Sequence, residues 1–126
     1  MNAGERAAEF QRAVERLGEA LVLAAGNPLG IDASIQRFEF CIELAWKTLR
    51  DILLRDHGIE VASPKPALQE AFRVELIDDE TLWLSMLRDR NLSSHTYREA
   101  LAQEIFARLP DYLQVLKAFA DATTSR

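Results

Sequence analysis

The sequence predicts an all-α protein, an antiparallel up-and-down bundle of about five helices. Apolar residues recur at three- and four-residue intervals along nearly the whole chain, which is the helical period. No segment alternates apolar and polar residues as a half-buried strand would. Turn-forming residues are few, with five Gly and four Pro in 126 residues, so the connections are short. That length suits one domain, 1–126, with about 120–126 as a frayed tail.

The first helix is expected from Ala3 to Ala25, because Phe10, Val14, Leu17, Leu21 and Ala24 share one face. Gly26-Asn27-Pro28-Leu29-Gly30 ends it with turn residues. Asp32 is the expected N-cap of a second helix that runs to about Asp56, and Gly58 is its natural stop. This helix is apolar on more than one stripe. Ile35, Phe38, Cys41, Ile42, Ala45, Leu49 and Ile52 form one, widened by Phe40, Leu44, Trp46 and Leu53. A helix apolar most of the way round is either central in its bundle or shared with another subunit, and both are expected here.

Ser63-Pro64-Lys65-Pro66 opens a short third helix, with proline in the first turn where its missing N–H costs nothing. Leu68, Ala71, Phe72 and Leu76 are its expected buried face. Asp78-Asp79-Glu80 starts the fourth, three acids at the positive end of the helix dipole. Leu82, Trp83, Met86 and Leu87 face inward, and the helix should end close to Leu92. The capping box Thr96-Tyr97-Arg98-Glu99 then opens the last helix, which Pro110 should kink or restart.

The bulk numbers exclude several function classes. A net charge of −5 argues against a general nucleic-acid coat, although it leaves room for a local basic site. No apolar run reaches the roughly 18 residues of a membrane span. The N-terminus is not a signal-peptide core. The lone Cys41 cannot form an internal disulfide and is expected to be a buried, inert thiol, with a reducing cytoplasm as the default location. Metal chemistry has little support, since His57 and His95 are the only histidines and neither sits at ligand spacing. No Gly-rich phosphate loop is present, and no cofactor is expected.

One segment stands out. Arg88, Arg90, His95 and Arg98 lie within eleven residues of an acidic chain, interleaved with Asn91, Ser93, Ser94, Thr96 and Tyr97. They occupy a helix-to-helix junction, where side chains and free helix-end groups can converge. In an unbroken helix Arg90 and His95 would be about 140° apart around the axis, so they need a bend, or a second copy of the chain, to meet. On composition alone, ordinary capping with solvated charge explains the segment as well as a functional site does.

Arg90-Asn91-Leu92-Ser93-Ser94-His95 resembles the Arg, polar residue, three of any type, His motif of the HEPN superfamily. With Tyr97 it resembles the longer Arg-x4-His-x-Tyr motif of the HepT toxins. Ile77-Asp78-Asp79-Glu80, Leu82-Trp83-Leu84, Leu87 to Leu92 and Phe38 to Lys47 are similar to the nucleotidyltransferase substrate-binding branch of that group. The resemblance implies a dimeric helical bundle that faces two copies of the motif across one cleft. It also implies a small nucleotidyltransferase as partner. Two roles follow from it: an accessory, binding subunit, or a metal-independent ribonuclease toxin silenced when the partner transfers AMP to the motif tyrosine.

The residues are chemically able to do the second. In RNA cleavage without metal, the 2′-hydroxyl attacks the adjacent phosphorus while a base takes its proton. An imidazole, with an ordinary pKa near 6.5, suits that transfer, which points to His95. Arg90 can hold a phosphate bidentately and offset developing charge. Asn91 and Ser94, with Arg88 and Arg98, are candidate donors for positioning phosphate or RNA. Tyr97 is the candidate AMP acceptor. The accessory role needs the same groups to bind phosphate without cleaving it, and a structural dimer with a vestigial motif stays open beside both.

Overall fold

The computed structural model describes residues 2–24 and 26–124. It is helical throughout, with five α-helices and no strand among the described residues. Helix α1 spans Ala3–Leu23, α2 Pro28–His57, α3 Pro64–Arg73, α4 Glu80–Leu92 and α5 Glu99–Thr124. A single 3-10 turn, Ser93–His95, joins α4 to the approach of α5. Ala25, the expected end of α1, and the tail residues Ser125 and Arg126 lie outside the described residues.

Local chemistry sets these boundaries. The Asn2 side chain accepts from the Glu5 amide at 2.8 Å and caps α1. Helix α2 begins earlier than Asp32. Asn27 is its N-cap and Pro28 fills the first turn, so a proline that reads as a breaker serves as a starter. Gly58 ends α2 in the left-handed conformation, φ 65°, as expected. Asp79 caps α4 by accepting from the Leu82 amide at 3.0 Å. The expected capping box does not form. Thr96 turns its hydroxyl back onto the Ser93 carbonyl at 3.0 Å, and α5 starts three residues later. Pro110 lies inside α5 without restarting it, and where a frayed tail is expected the helix continues to Thr124.

Helix α2 is the centre of the bundle and packs against each of the other four. Its main stripe, Ile35 to Ile52, is buried against Phe10, Val14 and Leu17 of α1 and Ile105, Leu109 and Leu116 of α5. Each such side chain contributes roughly 1.5–3 kcal/mol through removal from water. Aromatic rings knit the layers. Phe38 stacks on Tyr112 at 5.4 Å, and Phe119 meets both Phe10 at 5.5 Å and Trp83 at 5.6 Å. The widening stripe is divided: Trp46 and Leu53 are buried, whereas Phe40 is 46% exposed. Phe72, expected inside, is also partly exposed, at 43%.

The turn between α1 and α2 depends on Gly30. A Cβ there would fall 2.6 Å from the Ala24 Cα, closer than atoms can approach, so the two backbones touch at this point.

The strongest polar feature is buried. Asp89 on α4 is fully enclosed, yet its carboxylate is well satisfied. It accepts from Arg108 Nε at 2.7 Å and Nη2 at 2.9 Å, and from the Tyr112 hydroxyl at 2.6 Å. Ser85 adds a 2.7 Å contact to the same hydroxyl. Burial, then the bond to Asp89, pushes the Tyr112 phenol above its ordinary value. The bidentate Asp89 contact likewise holds Arg108 in its charged form.

Two outcomes follow for stability. Asp89→Ala should cost about 3 kcal/mol, because it leaves Tyr112 and Arg108 without their acceptor. Tyr112→Phe should cost about 1–2 kcal/mol, since Asp89 keeps Arg108. Urea denaturation of both variants checks the order. Cys41 supplies a pH test, as burial pushes its thiol from 9.0 to about 12. The folded state therefore keeps a proton that the unfolded state loses. Stability is full below the unfolded pKa and falls by about 1.4 kcal/mol per pH unit above it, until the folded thiol ionises. Between pH 8 and 10, thermal unfolding of Cys41→Ala should show a shallower decline than the parent protein.

Candidate functional site

The junction between α4 and α5 carries the whole motif. Helix α4 ends at Leu92, tightens into the 3-10 turn, and passes through Thr96, Tyr97 and Arg98 before α5 begins. The Thr96 amide bonds to the Ser93 carbonyl at 3.4 Å and the Arg98 amide to the His95 carbonyl at 3.1 Å. The backbone thus turns continuously, and the motif side chains leave it in two directions.

Arg90, Asn91 and Ser94 point toward α2. With Glu39, Phe40 and Glu43 they line an open pocket of about 480 Å³. Arg90 Nη2 donates to Glu43 Oε2 at 2.7 Å, and both side chains remain about one-third exposed. Ser93, just behind, is buried. Its Oγ lies 2.6 Å from Glu39 Oε2 and 2.6 Å from the Arg90 carbonyl, so its single proton serves one acceptor at a time. Ser94 Oγ reaches only the Asn91 carbonyl, at 3.4 Å.

His95 and Tyr97 form a separate group. Their rings meet edge-on with centroids 6.0 Å apart, and the Arg98 guanidinium sits 5.9 Å over the Tyr97 ring. Tyr97 is 77% exposed. With Thr96 it borders a smaller hollow of about 290 Å³, whose other walls include Pro28, Ile31 and Asp32 at the start of α2 and Gln103 on α5. His95 lines neither hollow.

Sequence reading groups Arg88 and Arg98 with Arg90, but they are not together. Arg88 Nη2 donates to Ser85 at 3.2 Å, and Arg98 belongs with Tyr97. Neither lines the Arg90 pocket. Two acids that sequence reading passed over do line it. Glu39 and Glu43 are four residues apart, so one helix face presents both, and the polar breaks that they make in the apolar α2 are the signal that could have found them. Asp89 was also missed, because an acid between two arginines reads as a surface charge. Among the described residues no three His, Cys, Asp or Glu converge on a common point. No described helix is long and apolar enough to cross a membrane.

The match of residues 5–125 to the model of the nucleotidyltransferase substrate binding protein like family settles the membership. The chain belongs to this family. A Haemophilus influenzae protein named "Probable ribonuclease HepT" is 36% identical over 87 residues, which are 66% of this chain and 60% of that relative's length. Among solved structures, a Thermus thermophilus protein superposes with a TM-score of 0.84 at 40% identity, covering 93% of this chain and 99% of that one. A Haemophilus influenzae structure, with the fold of a substrate binding domain of a nucleotidyltransferase, gives a TM-score of 0.78 at 25% identity over 96% of this chain and 98% of its own. These solved structures share the all-helical fold seen here.

The geometry separates structural from available motif residues. Arg90→Ala breaks a half-exposed ion pair and should cost less than about 1 kcal/mol. Ser93→Ala removes a buried hydroxyl between α4 and α2 and should cost about 1–2 kcal/mol. Chemical denaturation of the two variants, side by side, tests that order.

Proposed function

We propose that this chain is the substrate-binding partner subunit of a minimal nucleotidyltransferase and the toxin half of a HepT-like toxin–antitoxin pair. On this reading it is a metal-independent endoribonuclease of the cytoplasm, and Tyr97 is the residue its partner silences with AMP. The observation that carries the reading is the exposure of Tyr97 at the end of the motif. A large aromatic ring held in solvent, with its phenol accessible, is what a modifying enzyme requires. In the transfer, the phenolic oxygen bonds to the α-phosphorus of ATP, pyrophosphate leaves, and the phenolic proton passes to a base.

For cleavage, Arg90 holds the scissile phosphate and His95 moves the proton. Within one chain Arg90 lines the pocket beside Glu39 and Glu43, whereas His95 pairs with Tyr97 and does not line it. A homodimer that pairs the α2 and α4 faces brings a second His95 toward each Arg90, one imidazole acting as base and the other as acid. The half-exposed Phe40, beside the Arg90 pocket, supports a seam at this surface. The relative named as a probable ribonuclease supports the activity, and the substrate-binding fold supports the partner.

One observation favours the second reading, a nucleotide- or partner-binding accessory subunit without nuclease activity. Glu39 and Glu43 place two carboxylates in the pocket that would receive RNA phosphate.

Intact-mass spectrometry of the protein made together with its partner nucleotidyltransferase should show added AMP units that disappear in Tyr97→Phe. The protein made alone should cleave RNA, and His95→Ala should lower the rate by about 100-fold or more and relieve toxicity. Intact RNA over a range of pH, with unmodified protein, selects the accessory reading. Light scattering at micromolar concentration should give the mass of a dimer, and a monomer would remove the shared site.

A further inference from the structure

Arg90 is already occupied. Its Nη2 donates to Glu43 Oε2 at 2.7 Å, and the other oxygen of Glu43 lies 3.5 Å from Lys47 Nζ. A guanidinium presents the same fork of N–H donors to a carboxylate and to a phosphate. A phosphate that approaches Arg90 on the α2 side competes with Glu43 for the Nη2 arm. While Glu43 stays in place, its charge and that of Glu39, one helical turn away, repel an anion entering the pocket.

The pair is built to part. Both side chains are about one-third exposed, which makes the bond weak because water and salt screen it. Glu43 also has somewhere to go: Lys47, four residues along α2, neutralises it once Arg90 turns away. This differs from Asp89 and Arg108, where a fully buried carboxylate accepts on both oxygens from Arg108 and also from the Tyr112 hydroxyl, with Arg88 a further 3.9 Å ion pair.

We propose that Glu43 is the specificity-determining residue of the Arg90 pocket, a tethered carboxylate that competes with an incoming phosphate group for the Nη2 arm of Arg90 and passes to Lys47 when the phosphate takes it. The inference rests on the reading of Arg90 as a phosphate ligand. It goes beyond that reading by making entry an exchange of anions. Ligands that carry only a carboxylate gain nothing over Glu43 and are refused, whereas a phosphate, with more oxygens and more charge, prevails.

The test is an NMR titration of the full chain with inorganic phosphate at constant ionic strength, followed through the Arg90 side-chain N–H signal. Glu43→Gln keeps the shape and removes the charge, and should bind phosphate about three- to tenfold more tightly. Lys47→Gln removes the residue that receives Glu43 and should bind more weakly than the parent. Acetate at the same concentration should leave the parent signal unmoved. In Arg90→Ala, where that reporter is absent, phosphate-dependent changes in the backbone amides of Asn91 and Ser94 should vanish. If those amides respond in the parent but not in Arg90→Ala, while Glu43→Gln binds equally or less well, Glu43 merely orients the guanidinium. That outcome overturns the exchange and leaves the phosphate reading intact. Absence of saturable binding in both the parent and Glu43→Gln would overturn the two together.

Discussion

A buried carboxylate organises this bundle. Asp89 has no access to water, so its charge is tolerable only because Arg108 and Tyr112 enclose it with hydrogen-bond donors. That requirement fixes the rotational phase of α4. With Asp89 inward toward α5, its neighbours Arg88 and Arg90 each lie about 100° away around the helix. Arg90 is thereby delivered to α2 and Arg88 to solvent and Ser85. The same constraint ties α4 to α5 just before the junction that carries Ser93, His95 and Tyr97. The motif is thus mounted on a fixed base.

Two kinds of carboxylate meet basic groups in this molecule, and they differ in consequence. Asp89 is dry, bidentate and structural. Glu43 is wet, singly bonded to Arg90 and has a lysine alongside. Low dielectric and loss of solvent commit the first pair to the folded state, while screening leaves the second available for exchange. Structure and availability are in this way assigned to adjacent positions of one helix, Asp89 and Arg90.

Much of the fold was legible in the sequence because helical periodicity is a strong, local signal. The faces of α1, α2 and α5 follow from spacing alone, as does the stop at Gly58. The errors occurred where local rules compete. Asn27 and Asp32 are both good caps, and Pro28 decided for the earlier one by fitting the first turn. Thr96 and Glu99 have the spacing of a capping box, but the 3-10 turn draws the Thr96 hydroxyl to Ser93. At the site, the residues of the motif were identifiable in chain order, yet their division was not. Arg90 and Tyr97 line different hollows, and their companions Glu43 and Asp32 come from α2. Contacts between residues so distant in sequence leave no periodic trace, and neither does the burial of one acid among arginines.

The contact of Gly30 with Ala24 has a mechanical meaning for the smaller hollow beside Tyr97. Pro28, Ile31 and Asp32, which form one wall of it, surround that glycine on α2. Two backbones in direct contact make a pinned joint rather than a hinge, since neither can advance and no side chain stands between them to yield. The wall opposite Tyr97 is therefore braced by that contact, while the tyrosine across from it stands 77% exposed.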